Sequence, residues 1–218
     1  MRRVLLASQS ERRLIWLKEN LESHNLRIES RFLRAPEIAP PKGMRVGEQV
    51  EAICVSKARN ACLEQREYEE PKGSLFDAII VSDTMVEDPD EPRLSMGKPT
   101  DFLGAAGMII RLSGRRHVVW SSTTILLPPG SNSGGRIFEE GWEASTFTTS
   151  STVEFVELEE EEISDLVSSE SWRGKAGGYD LAGAAGEYCH LVEGEEVTVL
   201  GLSSEAMRYL TNVLSRRT

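Results

Sequence analysis

Short apolar runs and helical periodicities divide this chain into alternating strands and helices. Val4-Leu5-Leu6-Ala7 has strand character, and Leu14, Leu17 and Leu21 then recur at helical spacing, so a strand over 4–7 and a helix over 11–23 are expected. Leu26 to Leu33 carries Leu26, Ile28, Phe32 and Leu33 among polar residues and predicts a second strand. A Pro/Gly-rich loop follows over 35–43. A helix should then run from Gly47 to Leu63, with Val50, Ile53, Cys54 and Ala61 facing inward. Residues 64–74 are charged and read as an exposed excursion. Ala78-Ile79-Ile80-Val81 predicts a strand buried on both faces and ending at Ser82-Asp83-Thr84. Asp101 is placed to cap a helix through Leu112, closed by Gly114.

The β-branched stretches 117–127 and 147–158 predict two strands of a long hairpin, with 128–146 as its extended tip. Glu159 to Glu162 suits the start of a helix, where the dipole favours acids. Residues 189–192 and 197–200 read as short strands about a Glu193-Gly194-Glu195 turn. Ser203 or Ser204 should cap a last helix through Leu214. The alternation predicts an α/β fold. At 218 residues the chain suffices for one large domain, or for two lobes sharing a cleft.

Charge narrows the partners. A net charge of -10 argues against non-specific nucleic-acid binding, which needs a basic surface, but not against a pocket where a few cations converge on a small polyanion. No apolar run approaches the ~20 residues of a membrane span. The apolar run after Arg2 and Arg3 is cut off too soon for a signal peptide. Three cysteines, an odd number without a CxxC pair, suit a reducing, cytoplasmic compartment.

Candidate chemistry starts at Ser8-Gln9-Ser10-Glu11-Arg12-Arg13, where the first strand turns into the first helix. Amides at a helix start and two guanidinium forks favour an anion such as phosphate. The same stretch also fits a plain helix start, capped by Ser10, with two solvated arginines. Lys57 lies on the second helix, Asp83 follows the buried strand, and Lys98 stands in Gly-Lys-Pro. Cations around one carboxylate suit attack on a phosphate chain. The cations would hold oxygens, and Asp83 would deprotonate water or help hold Mg²⁺; the alternative for Asp83 is a turn cap. The glycine-rich stretch 174–186 matches neither GxxxxGK[ST] nor GxGxxG. Its glycines suggest backbone that comes close to a ligand or to another segment. Met85 stands where a haloacid-dehalogenase phosphatase needs its second Asp. There is no GxSxG, and His117 reads as structural.

Leu6-Ala7-Ser8-Gln9-Ser10-Glu11-Arg12-Arg13, Ser56-Lys57-Ala58, Val81-Ser82-Asp83-Thr84, Gly97-Lys98-Pro99, Arg111-Leu112-Ser113-Gly114-Arg115-Arg116-His117 and Lys175-Ala176-Gly177-Gly178-Tyr179 occur in an order that closely resembles the Maf family. Glu193-Gly194 and Val199-Leu200-Gly201-Leu202 match its ending. The resemblance spans nearly all of residues 1–218 and implies one Maf-like domain. Its fold would resemble that of inosine triphosphate pyrophosphatases: a long mixed central sheet, helices around it and a deep cleft between two lobes.

The resemblance also implies a nucleoside triphosphate pyrophosphatase that gives a monophosphate and pyrophosphate with a divalent metal, Mg²⁺ or Mn²⁺. The family has further been linked to septum formation, so a non-enzymatic, nucleotide-binding regulator of cell division is the alternative. Many members are dimers, and a homodimer is among the arrangements implied. Asp83 takes the role of catalytic base, with Lys57 and Lys98 beside it. Ser8, Ser10, Arg12, Arg13, Thr84 and Lys175 surround the substrate, and Asp83 and Glu37 match the metal-side acids.

Family members that prefer dTTP and UTP carry Arg, Thr and Gln at three positions. Arg12 and Thr84 match, whereas Ala182 replaces the Gln, so pyrimidine triphosphates are expected with weaker or altered base selectivity. Glu11 stands where the family usually has Pro, and the family often has Gly-Ala-Asp where Val81-Ser82-Asp83 stands. Insertions are expected at about 66–74, 88–95 and 130–141.

Overall fold

The computed structural model of the protein describes residues 2–21, 25–66 and 76–216. Most of the excursion expected at 64–74 lies outside the described residues. The strands are β1 (Arg2–Leu6), β2 (Leu26–Ser30), β3 (Ala78–Glu87), β4 (Ser95–Met96), β5 (Arg116–Leu127), β6 (Arg136–Ile137), β7 (Glu143–Phe155) and β8 (Cys189–Glu193). They form an eight-stranded sheet of order β2-β1-β3-β5-β7-β6, with β4 on β3 and β8 on β7. β2, β1 and β3 run parallel, while β3, β5 and β7 pair antiparallel, so the sheet is mixed and the fold is α/β.

The helices are α1 (Glu11–Leu21), α2 (Val46–Arg66), α3 (Phe102–Leu112), α4 (Glu160–Ser168), α5 (Glu196–Leu200) and α6 (Ser204–Arg216). Strand alternation decides which helix each face receives. Ala78 and Ile80 of β3 pack with Leu17 and Leu21 of α1 and Ala206 and Leu210 of α6. Ile79 and Val81 point to the other face and meet Ala58, Ala61 and Cys62 of α2. At the far end of the sheet, Ile109 of α3 and Leu166 of α4 close over Val119, Val153 and Phe155. Among the described residues no helix is long and apolar enough to cross a membrane.

Capping follows the sequence. Asp101 accepts a hydrogen bond from the Gly104 amide at 2.7 Å, Glu159 and Glu162 form a capping box on α4, and the Ser203 hydroxyl accepts from the Ala206 amide. The long hairpin is present, with Arg116 opposite Glu154 and Leu127 opposite Glu143. Phe138 and Trp142 from its tip pack into the α2-side core, and the buried Glu143 carboxylate takes the amides of Asn132 and Ser133.

Two elements differ from expectation. Residues 197–200 are helical, not a strand. The acidic first turn and Gly201 in the left-handed region (φ 111°) are helix-end signals, and they outweigh the β-branched pair Val197 and Thr198. β3 does not stop at residues 82–84 but runs on to Glu87, because β5 pairs with it from Ile79↔Leu126 to Val86↔Val119.

His117 is structural. It is buried on β5, its Nε2 lies 2.8 Å from the Tyr179 hydroxyl, and its ring stacks on Phe155. Burial pushes its pKa down from 6.5 to about 4. The folded chain therefore resists a proton that the unfolded chain accepts. The stability this gives is complete above pH 6.5 and is lost as pH falls toward 4. Between pH 7 and 4.5 the wild type should lose roughly 2–3 kcal/mol more stability than His117→Gln, as read from urea midpoints at the two pH values. Equal losses would show that His117 carries no such linkage.

Candidate active site

The parallel part of the sheet ends where the chemistry-bearing residues begin. β1 pairs with β3 only as far as Leu6↔Ile80. The chain then turns through Ser8 and Ser10 into α1, which leaves one edge of β3 uncovered at Ser82, Asp83 and Thr84. Asp83 is thus mid-strand by hydrogen bonding to β5, yet stands beyond the end of its parallel neighbour. Ligands of open α/β sheets settle at such a crevice.

Alternation along β3 again sorts the partners. Asp83 lies on the α2 side, where Lys57 Nζ is 2.6 Å from its Oδ1. The same ammonium lies 2.7 Å from Glu37 Oε1, on the loop between β2 and α2. Burial works against the charge of Lys57, but Asp83 and Glu37 outweigh it and hold the ammonium above its usual range. Partial burial likewise works against the Glu37 charge, and Lys57, Lys98 and Arg13 outweigh it and hold its carboxyl low.

Thr84 lies on the other side of the strand, facing α1. Arg13 donates from Nη2 to the Thr84 hydroxyl at 2.8 Å and from Nη1 to the Ser82 carbonyl at 3.1 Å and the Ser8 hydroxyl at 3.3 Å. Its Nε is buried without a hydrogen-bond partner, and desolvation lowers its pKa. The guanidinium packs against Gly201, where a Cβ would stand 2.6 Å from Nε. Ser10 caps the helix start, its hydroxyl 3.4 Å from the Arg13 amide. The capped reading of this turn and its place in a cavity therefore hold together.

These residues line one cavity of 530 Å³, a size that accepts a small-molecule ligand. Ser8, Ser10, Arg12, Arg13, Glu37, Lys57, Asp83, Thr84, Lys98 and Lys175 all reach it. Six cationic side chains (Arg12, Arg13, Lys57, Lys98, Arg173 and Lys175) face three carboxylates (Glu11, Glu37 and Asp83), a local excess of positive charge in a protein of net charge -10. A polyanion is the complementary guest. Ala182 is exposed and does not line the cavity, and the hairpin tip stays clear of it as well.

Two charged residues here carried no signal in the sequence. Arg173 lines the cavity beside the glycine-rich stretch; it pairs with Glu170 at 2.7 Å and lies over the Trp172 ring. Asp180 is buried and holds Arg12 at 2.8 Å and Lys175 at 3.3 Å. The glycine-rich stretch does bring backbone close to another segment. Gly177 adopts φ 72°, and a Cβ there would stand 2.7 Å from Val86 Cγ2, on the strand that carries Asp83.

The donor set at the Lys57 end, two carboxylates of hard oxygen, suits a hard divalent cation. Asp83 and Glu37 are the residues that would hold it. Cys62 and Cys189 are buried free thiols pushed up to about 12, so they remain protonated and take no part.

A mixed α/β sheet with a cation-rich cavity over an uncovered carboxylate defines a protein built to hold a small polyanion. The family model described as Maf-like protein matches residues 3–213, and the chain belongs to that family. A protein named dTTP/UTP pyrophosphatase from Nitrobacter winogradskyi is 32% identical over 203 residues, 92% of this chain and 86% of that protein. One of the same name from Pelotomaculum thermopropionicum is 29% identical over 204 residues, 93% of this chain and 91% of that protein. A third, from Roseobacter denitrificans, is 33% identical over 126 residues, 58% of each chain.

Proposed function

We propose that this protein hydrolyses nucleoside triphosphates at the α–β phosphoanhydride, with dTTP and UTP as preferred substrates, and releases a nucleoside monophosphate and pyrophosphate. The observation that carries this reading is the Lys57 ammonium held between Asp83 and Glu37 at the wall of a cation-lined cavity. The names of the relatives support the substrate class.

Lys98 and Arg13 have no carboxylate within ion-pair distance among the described residues, so their charges are available to phosphate oxygens. Lys57 orients Asp83 toward the cavity. Asp83 accepts one proton from the attacking water while the phosphoanhydride P–O bond breaks and pyrophosphate leaves with the bonding pair. The cations balance charge that builds on the phosphate oxygens. A divalent metal on Asp83 and Glu37 would supply further charge neutralisation at those oxygens. A purely regulatory nucleotide-binding protein has no use for a paired carboxylate and ammonium at the cavity wall, which favours the enzyme.

The continuous eight-stranded sheet supports one domain with two lobes about a single cleft. Buried free thiols support a reducing, cytoplasmic compartment. Leu103 and Ile110, seven residues apart on α3 and exposed, support a homodimer, which sedimentation would detect.

Initial rates of pyrophosphate release from dTTP, UTP, dCTP, CTP, GTP and ATP, each with Mg²⁺ and with Mn²⁺, test the substrate assignment. dTTP and UTP should be fastest. Hydrolysis of purine triphosphates alone would overturn it.

A further inference from the structure

Arg12 and Lys175 have a carboxylate partner, which Arg13 and Lys98 lack among the described residues. Asp180 Oδ1 accepts from Arg12 Nη1 at 2.8 Å and from the Ala182 amide at 3.2 Å, and its Oδ2 lies 3.3 Å from Lys175 Nζ. The Asp180 side chain is 12% exposed and does not itself line the cavity, so it works from behind the wall. Arg12 comes from α1 and Asp180 from the loop after Tyr179, so this one acid ties opposite walls of the cavity together. Part of the cavity wall is apolar: Val86, Ala176, Leu181 and Val199 belong to one cluster with Tyr179, the residue before Asp180, which suits a flat ring more than a phosphate.

Resting on the proposed hydrolysis, we propose that Asp180 is a positioning residue for base selection. It holds Arg12 on the nucleoside side of the cavity and cancels much of its charge. A guanidinium paired to a buried carboxylate gains less from an anion than a free one, yet keeps N–H donors for a neutral acceptor. The remaining donors of Arg12 then meet the carbonyl oxygens of uracil or thymine, while Arg13 and Lys98 hold the phosphates. Cytosine places an amino group where uracil has its second carbonyl, so a fixed donor at that edge discriminates between the two. This chain thereby keeps a reader of the base although Ala182 offers none.

The test compares wild type, Asp180→Asn and Asp180→Glu in kcat/KM for UTP against CTP and in the inhibition constant of inorganic pyrophosphate. In Asp180→Asn, Arg12 and Lys175 lose their counter-charge and turn to phosphate. The UTP/CTP ratio should fall by about tenfold, and pyrophosphate should inhibit about three- to tenfold more tightly. Asp180→Glu retains the carboxylate and should keep the wild-type pyrophosphate constant within about twofold. Mere local disruption would weaken selectivity and pyrophosphate binding together, and that result overturns the inference, as does an unchanged ratio or an Asp180→Glu that behaves like Asp180→Asn. Turnover in wild type with an unchanged ratio in Asp180→Asn defeats this inference alone; absence of turnover in wild type defeats the proposed hydrolysis and this inference with it.

Discussion

Asp83→Asn should fold, bind nucleoside triphosphate and turn it over about 10²- to 10⁴-fold more slowly than wild type, the range expected when a positioned base is removed. The side chain keeps its shape, and the amide oxygen still accepts from Lys57, which also retains Glu37 at 2.7 Å. Asparagine cannot take the proton of the attacking water. Binding measured without a divalent metal should hold or tighten, because one negative charge leaves a cavity meant for a polyanion. Single-turnover rates together with calorimetric binding of an α,β-methylene analogue separate the two effects. A variant within a few-fold of the wild-type rate would show that Asp83 is not the base. A variant that no longer binds would make it a substrate ligand instead.

Gly201→Ala should damage both the fold and the cavity. Gly201 adopts φ 111°, which an alanine reaches only with strain, and the added methyl would stand 2.6 Å from Arg13 Nε and 3.0 Å from the Thr84 hydroxyl. The Gly201 carbonyl also accepts from the buried Ser82 hydroxyl at 2.6 Å, so the backbone there has little freedom to retreat. Arg13 has to move, and with it the phosphate contact proposed for it between α1 and β3. We expect a loss of about 2–4 kcal/mol in unfolding free energy and about 10- to 100-fold in kcat/KM. Urea denaturation and steady-state kinetics read the two quantities. A stable, fully active Gly201→Ala would mean that Arg13 is not held by this contact.

Much of the fold was legible because local signals and tertiary packing agree. The Ala78–Val81 run is buried on both faces, the β-branched stretches pair as the long hairpin, and Asp101, Glu159 and Ser203 cap the helices they precede. Legibility failed where long-range pairing decides. Whether β3 ends at Asp83 or at Glu87 depends on β5, about forty residues later, and no local pattern reports it. Residues 197–200 look like a strand by β-branching, but the turn at Gly201 closes them as a helix.

The site divides in the same way. Ser8, Arg13, Lys57, Asp83 and Lys98 stood in motifs whose order could be matched, and the structure gathers them in one cavity. Asp180 was invisible because its partner Arg12 is 168 residues away, and an isolated acid in a glycine-rich loop carries no local sign of a buried ion pair. Ala182, matched by motif position, turns out to be exposed outside the cavity wall. Motif position alone does not say which way a loop residue points.

The proposed hydrolysis cuts between the α and β phosphates. It is tested most directly by following the phosphorus NMR spectrum of UTP with the purified protein and Mg²⁺. UMP and pyrophosphate should appear together in equal amounts from the first time points. UDP with inorganic phosphate would contradict it and place the cut at the terminal phosphate instead.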